Sequence, residues 1–200
     1  MEDVRISFIG DSYVNGTGDP QYLGWPGRAC AASNGKRAAI TCYNLGIRAD
    51  TSADILRRWQ GEVAARRLVP HDARLVFGFG ANDCWIIEGQ PRVNRADSER
   101  NAEEILARAK ELLPTLMVGP PPGLDADEHA RRCEVSAMLK EVAARVGVPY
   151  LDAIAGLGEV ASETWRAEVR AGDQVHPGAG GYAALAEVVL GWSEWWFYQE

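Results

Sequence analysis

Short apolar runs separated by longer amphipathic ones constrain this chain more than any other feature. Five segments, Arg5–Ile9, Ala39–Asn44, Leu75–Phe79, Thr115–Val118 and Pro149–Leu151, are short and nearly free of charge. Runs of that kind read as strands buried on both faces, which is the habit of a parallel sheet. Between them lie helical patterns at Trp25–Ser33, Ser52–Arg67, Glu99–Leu113 and Glu128–Val146, with Ala179–Trp196 after the last strand. The alternation predicts an α/β domain whose sheet is covered by helices. Asp152–Gly172 shows the weakest pattern and is expected to be irregular, with a helix around Ser162–Arg170. A chain of 200 residues buries one sizeable core, and with no internal repeat or Ser/Gly-rich linker the expectation is one domain over residues 1–200.

Charge narrows the partners. There are 28 acidic against 21 basic residues, a net charge of −7. That sign opposes non-specific binding to phosphate backbones or anionic lipid, so no nucleic acid partner is expected. No run approaches the roughly 18 apolar residues of a membrane helix, so no stable membrane insertion is expected either. Met1–Arg5 lacks the basic head and apolar run of a secretory leader, which predicts a cytoplasmic location. Four cysteines without a C-x-x-C pair suggest reduced thiols rather than a zinc or disulfide framework. At the C-terminal end Leu185, Val188, Val189, Trp192 and Trp196 fall at helical spacing and Trp195, Phe197 and Tyr198 are added. This exceeds what one stripe buries, so part of it is expected to meet another subunit in a homodimer.

In open α/β sheets, ligands bind at the C-terminal ends of the strands. The first strand ends in Gly10-Asp11-Ser12, a hydroxyl on a tight turn at that edge. A serine so placed is a candidate nucleophile and needs a base. Three histidines are available: His71 and His129 have charged neighbours and read as solvated surface, whereas His176 sits in Asp173-Gln174-Val175-His176-Pro177, just ahead of a helix. Asp173 supplies a carboxylate to orient the imidazole. Gly46 closes the second strand, and Asn82 closes the third within Gly80-Ala81-Asn82-Asp83. A bare glycine N–H and an amide suit an oxygen that gains charge during acyl transfer. Each block is also ordinary turn chemistry, and Asp173 would serve equally as a helix cap. Their joint occurrence at successive strand ends is what points to a site.

Taken together, Gly10-Asp11-Ser12, Asn44-Leu45-Gly46-Ile47, Gly80-Ala81-Asn82-Asp83 and Asp173-Gln174-Val175-His176-Pro177 resemble the four blocks of the GDSL family, also called the SGNH hydrolases. The resemblance spans nearly the whole chain. It implies a flavodoxin-like, three-layer α/β/α sandwich with a five-stranded parallel sheet. It further implies Ser12 as nucleophile, His176 as base, Asp173 as orienting acid, and an oxyanion hole from the Ser12 and Gly46 N–H groups with the Asn82 side chain. No metal and no cofactor is implied, and the substrate class is a small-molecule acyl ester: a carboxylic ester, thioester or O-acetyl group. Two departures stand out. Gln174 replaces the usual Gly, and Tyr13 follows the nucleophile where the family name has Leu. Tyr13, Trp25 and Trp85 fall near the site and are candidates for the substrate pocket, while Cys84 reads as a structural thiol. Two alternatives are a metal-dependent phosphoesterase, against which the scarcity of histidines counts, and a non-catalytic binding module of the same fold.

Overall fold

The computed structural model describes residues 2–66, 71–160 and 162–198. Its elements, in chain order, are β1 (Glu2–Gly10), α1 (Ser12–Asn15), α2 (Gly24–Ser33), β2 (Ala38–Gly46), α3 (Ser52–Arg66), β3 (Asp72–Gly78), β4 (Ile86–Ile87), β5 (Gln90–Pro91), α4 (Arg95–Leu112), β6 (Thr115–Val118), α5 (Ala126–Val146), β7 (Tyr150–Leu151), α6 (Ala153–Val160), α7 (Ser162–Ala171) and α8 (Ala179–Leu190). All five predicted strands are present. Arg67, the last residue assigned to the second helical pattern, lies outside the described residues.

β1 is apolar on both faces because it lies inside the sheet, whose order is β2-β1-β3-β6-β7 with every neighbour parallel. This is the flavodoxin-like order, and it has a topological switch point beside β1. Alternate residues of the strands feed two cores. Val4, Ile6, Phe8, Val76 and Leu116 pack with residues of α2, α6, α7 and α8. Leu75, Phe77 and Met117 pack with α3, α4 and α5, where Trp59 meets Phe77 edge to face at 5.5 Å. Each such buried aliphatic or aromatic side chain contributes about 1.5–3 kcal/mol. β2 departs from the buried-strand reading: it alternates between buried or half-buried and exposed residues because it is an edge strand.

Three features differ from expectation. Ala153–Val160, expected to be irregular, forms α6 despite Gly156 and Gly158. A Cβ at Gly156 would lie 2.4 Å from Val188 Cγ1, so the glycine that weakens the helix locally is what lets α6 close on α8. Tertiary packing here outweighs a propensity cost of about 1 kcal/mol per glycine. The last helix ends at Leu190 rather than Trp196. The chain then turns, Trp195 N–H bonds Trp192 O at 2.9 Å, and the buried Trp195 indole donates to Ser33 Oγ at 3.2 Å. Trp192, Trp196 and Tyr198 pack against the same core, so the aromatic surplus assigned to another subunit is largely covered by the chain itself. Among the described residues, no helix is long and apolar enough to cross a membrane.

Candidate active site

At the C-terminal edge of the sheet, β1 hands the chain to α1 through Gly10, which is in register with Gly46 on one side and Gly78 on the other. A Cβ at Gly10 would stand 2.0 Å from Gly78 O, so only glycine allows the strands to converge beneath the turn. Asp11 caps α1 through Oδ1, which accepts the Tyr13 N–H at 2.9 Å. Ser12 is thereby presented as the first residue of the helix.

The second arm comes from the far end of the chain. The Tyr13 hydroxyl donates to Val175 O at 2.8 Å, holding the loop after α7 against α1. His176 Nε2 lies 2.7 Å from Ser12 Oγ, and its Nδ1 lies 2.8 Å from Asp173 Oδ2. A carboxylate can only accept, so Nδ1 carries the proton and Nε2 is left to accept from the serine. Asp173 Oδ1 in turn receives the Val175 N–H at 3.0 Å and the His176 N–H at 2.7 Å. Ser12 is 4% and His176 5% exposed, so their hydrogen bond is shielded from water. Gln174 adopts a φ of +66°, in the left-handed region. That conformation costs a non-glycine residue about 1–2 kcal/mol and explains why glycine suits the position. Here the Gln174 N–H bond to Val169 O at 3.1 Å and the Asp173 cap hold the loop in the same shape.

Burial shifts the charges. It draws the His176 imidazole below its ordinary value; the bond and charge of Asp173 pull the other way, and Arg48 and Arg132 add to the lowering. Partial burial alone would raise Asp173, but the His176 ring and the two backbone N–H groups outweigh it and hold the carboxyl below its usual range. Asp11, wholly buried, is pushed up to about 7 by desolvation, against the Tyr13 N–H and Arg132.

Asn82 lines the same groove as Ser12 and His176. Its Nδ2 donates to Asp50 O at 2.9 Å and, more weakly, to Asp11 Oδ2 at 3.4 Å. The Gly46 N–H bonds Asn44 Oδ1 at 3.1 Å. Both groups predicted as donors are therefore engaged within the protein. A side chain at Gly46 is excluded, since its Cβ would fall 2.2 Å from Asn15 N. Asp83, a carboxylate that a metal-dependent phosphoesterase would need as a ligand, accepts from Ser52 N–H at 2.8 Å and Ser98 Oγ at 2.5 Å, tying α3 to α4. Among the described residues no three His, Cys, Asp or Glu side chains converge as a metal site. Cys84 is buried, donates to Ala81 O at 3.4 Å and is pushed up to about 11 by burial, as befits an unreactive thiol.

Of the three aromatic residues expected at the pocket, Tyr13 and Trp85 line a groove of about 370 Å³ over Ser12. Trp25 does not. It is 1% exposed and packs edge-on against Phe8 at 5.4 Å, because α2 turns it into the core beneath the site. Among the lining residues that the sequence did not single out are Arg48, Ile87, Arg92 and Arg132. Ile87 and Arg92 arrive on the β4–β5 hairpin, whose Glu88-Gly89 turn has φ of 51° and 76°. An apolar pair followed by X-Gly is the signal for such a two-residue turn. Arg132 lies in a charge-rich stretch of α5, yet it is 2% exposed, salt-bridged to Glu128 and stacked over the Tyr13 ring at 5.2 Å.

Comparison with known proteins identifies the family and the fold. Residues 8–184 match the model of the GDSL-like lipase/acylhydrolase family. The fold is shared with an acetylxylan esterase from Geobacillus stearothermophilus, at a TM-score of 0.79 and 20% identity over 98% of this chain and 96% of that one. It is shared also with a lipase/acylhydrolase from Enterococcus faecalis, at a TM-score of 0.71 and 24% identity over 94% of this chain and 93% of that one. Catalytic mutants of the Geobacillus enzyme carry alanine in place of a serine, an aspartate or a histidine. No curated protein sequence matches the chain.

Proposed function

The chain belongs to the GDSL-like lipase/acylhydrolase family and is a carboxylic ester hydrolase; from that premise we propose that it works through an acyl-enzyme on Ser12, with His176 as general base and Asp173 as its orienting acid. The observation that carries this reading is the unbroken chain Ser12 Oγ, His176 Nε2, His176 Nδ1, Asp173 Oδ2, with links of 2.7 and 2.8 Å. In the first half-reaction Ser12 Oγ attacks the ester carbonyl carbon as His176 Nε2 takes its proton. The tetrahedral oxyanion is met by the Ser12 N–H, which as the first of a helix has no intrahelical acceptor, and by Asn82 Nδ2, which gives up its weak 3.4 Å bond to Asp11 Oδ2 and keeps the one to Asp50 O. Gly46 N–H joins them when the Asn44 amide swings aside. His176 then returns the proton to the leaving alkoxide. In the second half-reaction the same nitrogen deprotonates a water, which releases the acid and restores Ser12. O-acetyl esters and thioesters fit the same chemistry, since both present the same carbonyl carbon to Ser12 and a thioester changes only the leaving atom, from oxygen to sulfur.

The phosphoesterase alternative gains nothing from Asp83, which is spent on helix packing. A non-catalytic module would have no need of a shielded serine–histidine contact. The test is labelling by a fluorophosphonate probe together with hydrolysis of p-nitrophenyl esters by the wild type and Ser12→Ala, with and without EDTA. We expect labelling at Ser12, activity indifferent to EDTA, and a loss in Ser12→Ala of up to about a millionfold. Retention of more than a tenth of wild-type turnover by a folded Ser12→Ala protein overturns the assignment.

A further inference from the structure

The groove over Ser12 is cationic in a chain that is acidic overall. Its lining includes Arg48, Arg92 and Arg132 and no carboxylate, although the chain holds 28 acidic against 21 basic residues. Of the three cations, Arg132 is largely engaged: Nη2 binds Glu128 and Nη1 the Pro121 and Pro122 carbonyls, and only its buried Nε has no partner. The other two are not. Arg48 Nη2 stands 3.8 Å from Asp173 Oδ2, too long for a hydrogen bond, and its side chain is 68% exposed. Arg92 follows the β4–β5 hairpin, where its own N–H bonds Trp85 O at 3.0 Å. Its Nη1 donates to Ala49 O at 2.8 Å, and among the described residues it has no carboxylate partner. That bond engages one nitrogen of its guanidinium, and Arg92 lines the groove.

An exposed arginine is ordinarily solvated surface with one of many acids nearby. Here both line one groove beside the nucleophile, carried by two separate segments, one after β2 and one after the β4–β5 hairpin, and the Arg92 guanidinium reaches the carbonyl of Ala49 next to Arg48. With only the partly exposed Asp173 beside Arg48, the two cations leave a local positive potential that draws anions against the net charge of the protein. Trp85 and Ile87, both exposed on the same hairpin, line the groove between the polar centre and solvent. A ligand that satisfies the groove therefore has an ester group, a short apolar stretch or ring, and an anionic end.

Resting on the esterase reading above, we propose that the preferred substrate is an ester that itself carries a negative charge, such as a carboxylate, and that Arg92 and Arg48 bind that charge and set specificity. The anion belongs either to the acyl part or to the alcohol part, and matched pairs distinguish them. Mono-p-nitrophenyl adipate against p-nitrophenyl hexanoate places the charge on the acyl side. Para-acetoxybenzoate against its methyl ester places it on the alcohol side. Each pair is read as the ratio of kcat/KM, charged over neutral, in the wild type, Arg92→Gln, Arg92→Lys and Arg48→Gln, at low and at raised salt.

In one of the two pairs the wild-type ratio should exceed that of Arg92→Gln by about tenfold, the scale of a charge-assisted hydrogen bond discounted for exposure. Arg48→Gln should lower the same ratio, Arg92→Lys should keep most of it, and salt should erode it in the wild type more than in Arg92→Gln. Using the ratio removes any effect of Arg48 on the neighbouring Asp173, which acts on both members of a pair. Ratios unchanged by Arg92→Gln and Arg48→Gln in both pairs overturn the proposal, as does an Arg92→Lys protein that behaves like Arg92→Gln. Hydrolysis of neither member of either pair by the wild type is a different failure, because it removes the esterase reading itself.

Discussion

Replacing Asp173 by Asn tests the mechanism as well as the location. The loop itself decides how the new amide is oriented. In the wild type Oδ1 accepts the Val175 and His176 N–H groups at 3.0 and 2.7 Å, while Oδ2 faces the imidazole at 2.8 Å. In Asp173→Asn the two backbone donors demand oxygen at the first position, which aims the NH₂ at His176 Nδ1. That nitrogen must then accept, so the proton moves to Nε2, where it blocks transfer from Ser12. Turning the amide over restores the productive tautomer but gives up two backbone bonds, roughly 2 kcal/mol in all. Losing the carboxylate charge that steadies the imidazolium adds about 1–2 kcal/mol, the gap between charge-assisted and neutral bonds. At about 1.4 kcal/mol per tenfold, the sum predicts a fall in turnover of roughly 10²- to 10³-fold. The assay is turnover of p-nitrophenyl acetate by the purified variant, with nitrogen NMR of His176 to report which ring nitrogen carries the proton. A loss of less than tenfold, or a proton still resident on Nδ1, refutes the reasoning.

Three further outcomes follow from the same geometry. Because burial holds His176 below its ordinary value and the neutral ring is the active form, kcat/KM should fall as pH drops along a one-proton limb whose midpoint lies below about 6.5; a midpoint above that value contradicts the burial account. Asn82→Ala should cost about 100- to 1000-fold in turnover with little change in KM, and a raised KM at unchanged turnover would assign Asn82 to substrate binding instead. Gly46→Ala puts a Cβ 2.2 Å from Asn15 N and 2.7 Å from Asp11 O. Overpacking on that scale costs about 1–3 kcal/mol or more, so thermal unfolding should shift down by roughly 5–10 °C, and an unmoved Tm would show that the turn has room.

Much of this protein is legible along the chain because the relevant physics is local. β1, β3 and β6 declare themselves through short apolar runs nearly free of charge, the composition that a strand segment buried on both faces requires. The blocks around Ser12, Gly46, Asn82 and His176 are equally readable, since each is a turn whose residues are chosen by its backbone; at Gln174 even the departure from glycine is accounted for by a φ of +66°. What stayed hidden depended on contacts between distant segments. α6 forms because Gly156 admits Val188, Trp25 and Trp195 are drawn into the core, and the β4–β5 hairpin brings Ile87 and Arg92 to a groove whose other wall is Arg48. Arg132 shares its helix with exposed charged residues and yet is buried, because α5 lays it against Tyr13 from the other end of the chain. Composition and periodicity thus determined the layers, the strands and the residue types at the strand ends, for those follow from burial and turn geometry a few residues at a time. Only the tertiary structure decided that Ser12 and His176, separated by 164 residues, meet at 2.7 Å, and which cations surround them, because that meeting depends on the parallel strand order and helix packing that bring α1 and the loop before α8 to one edge of the sheet.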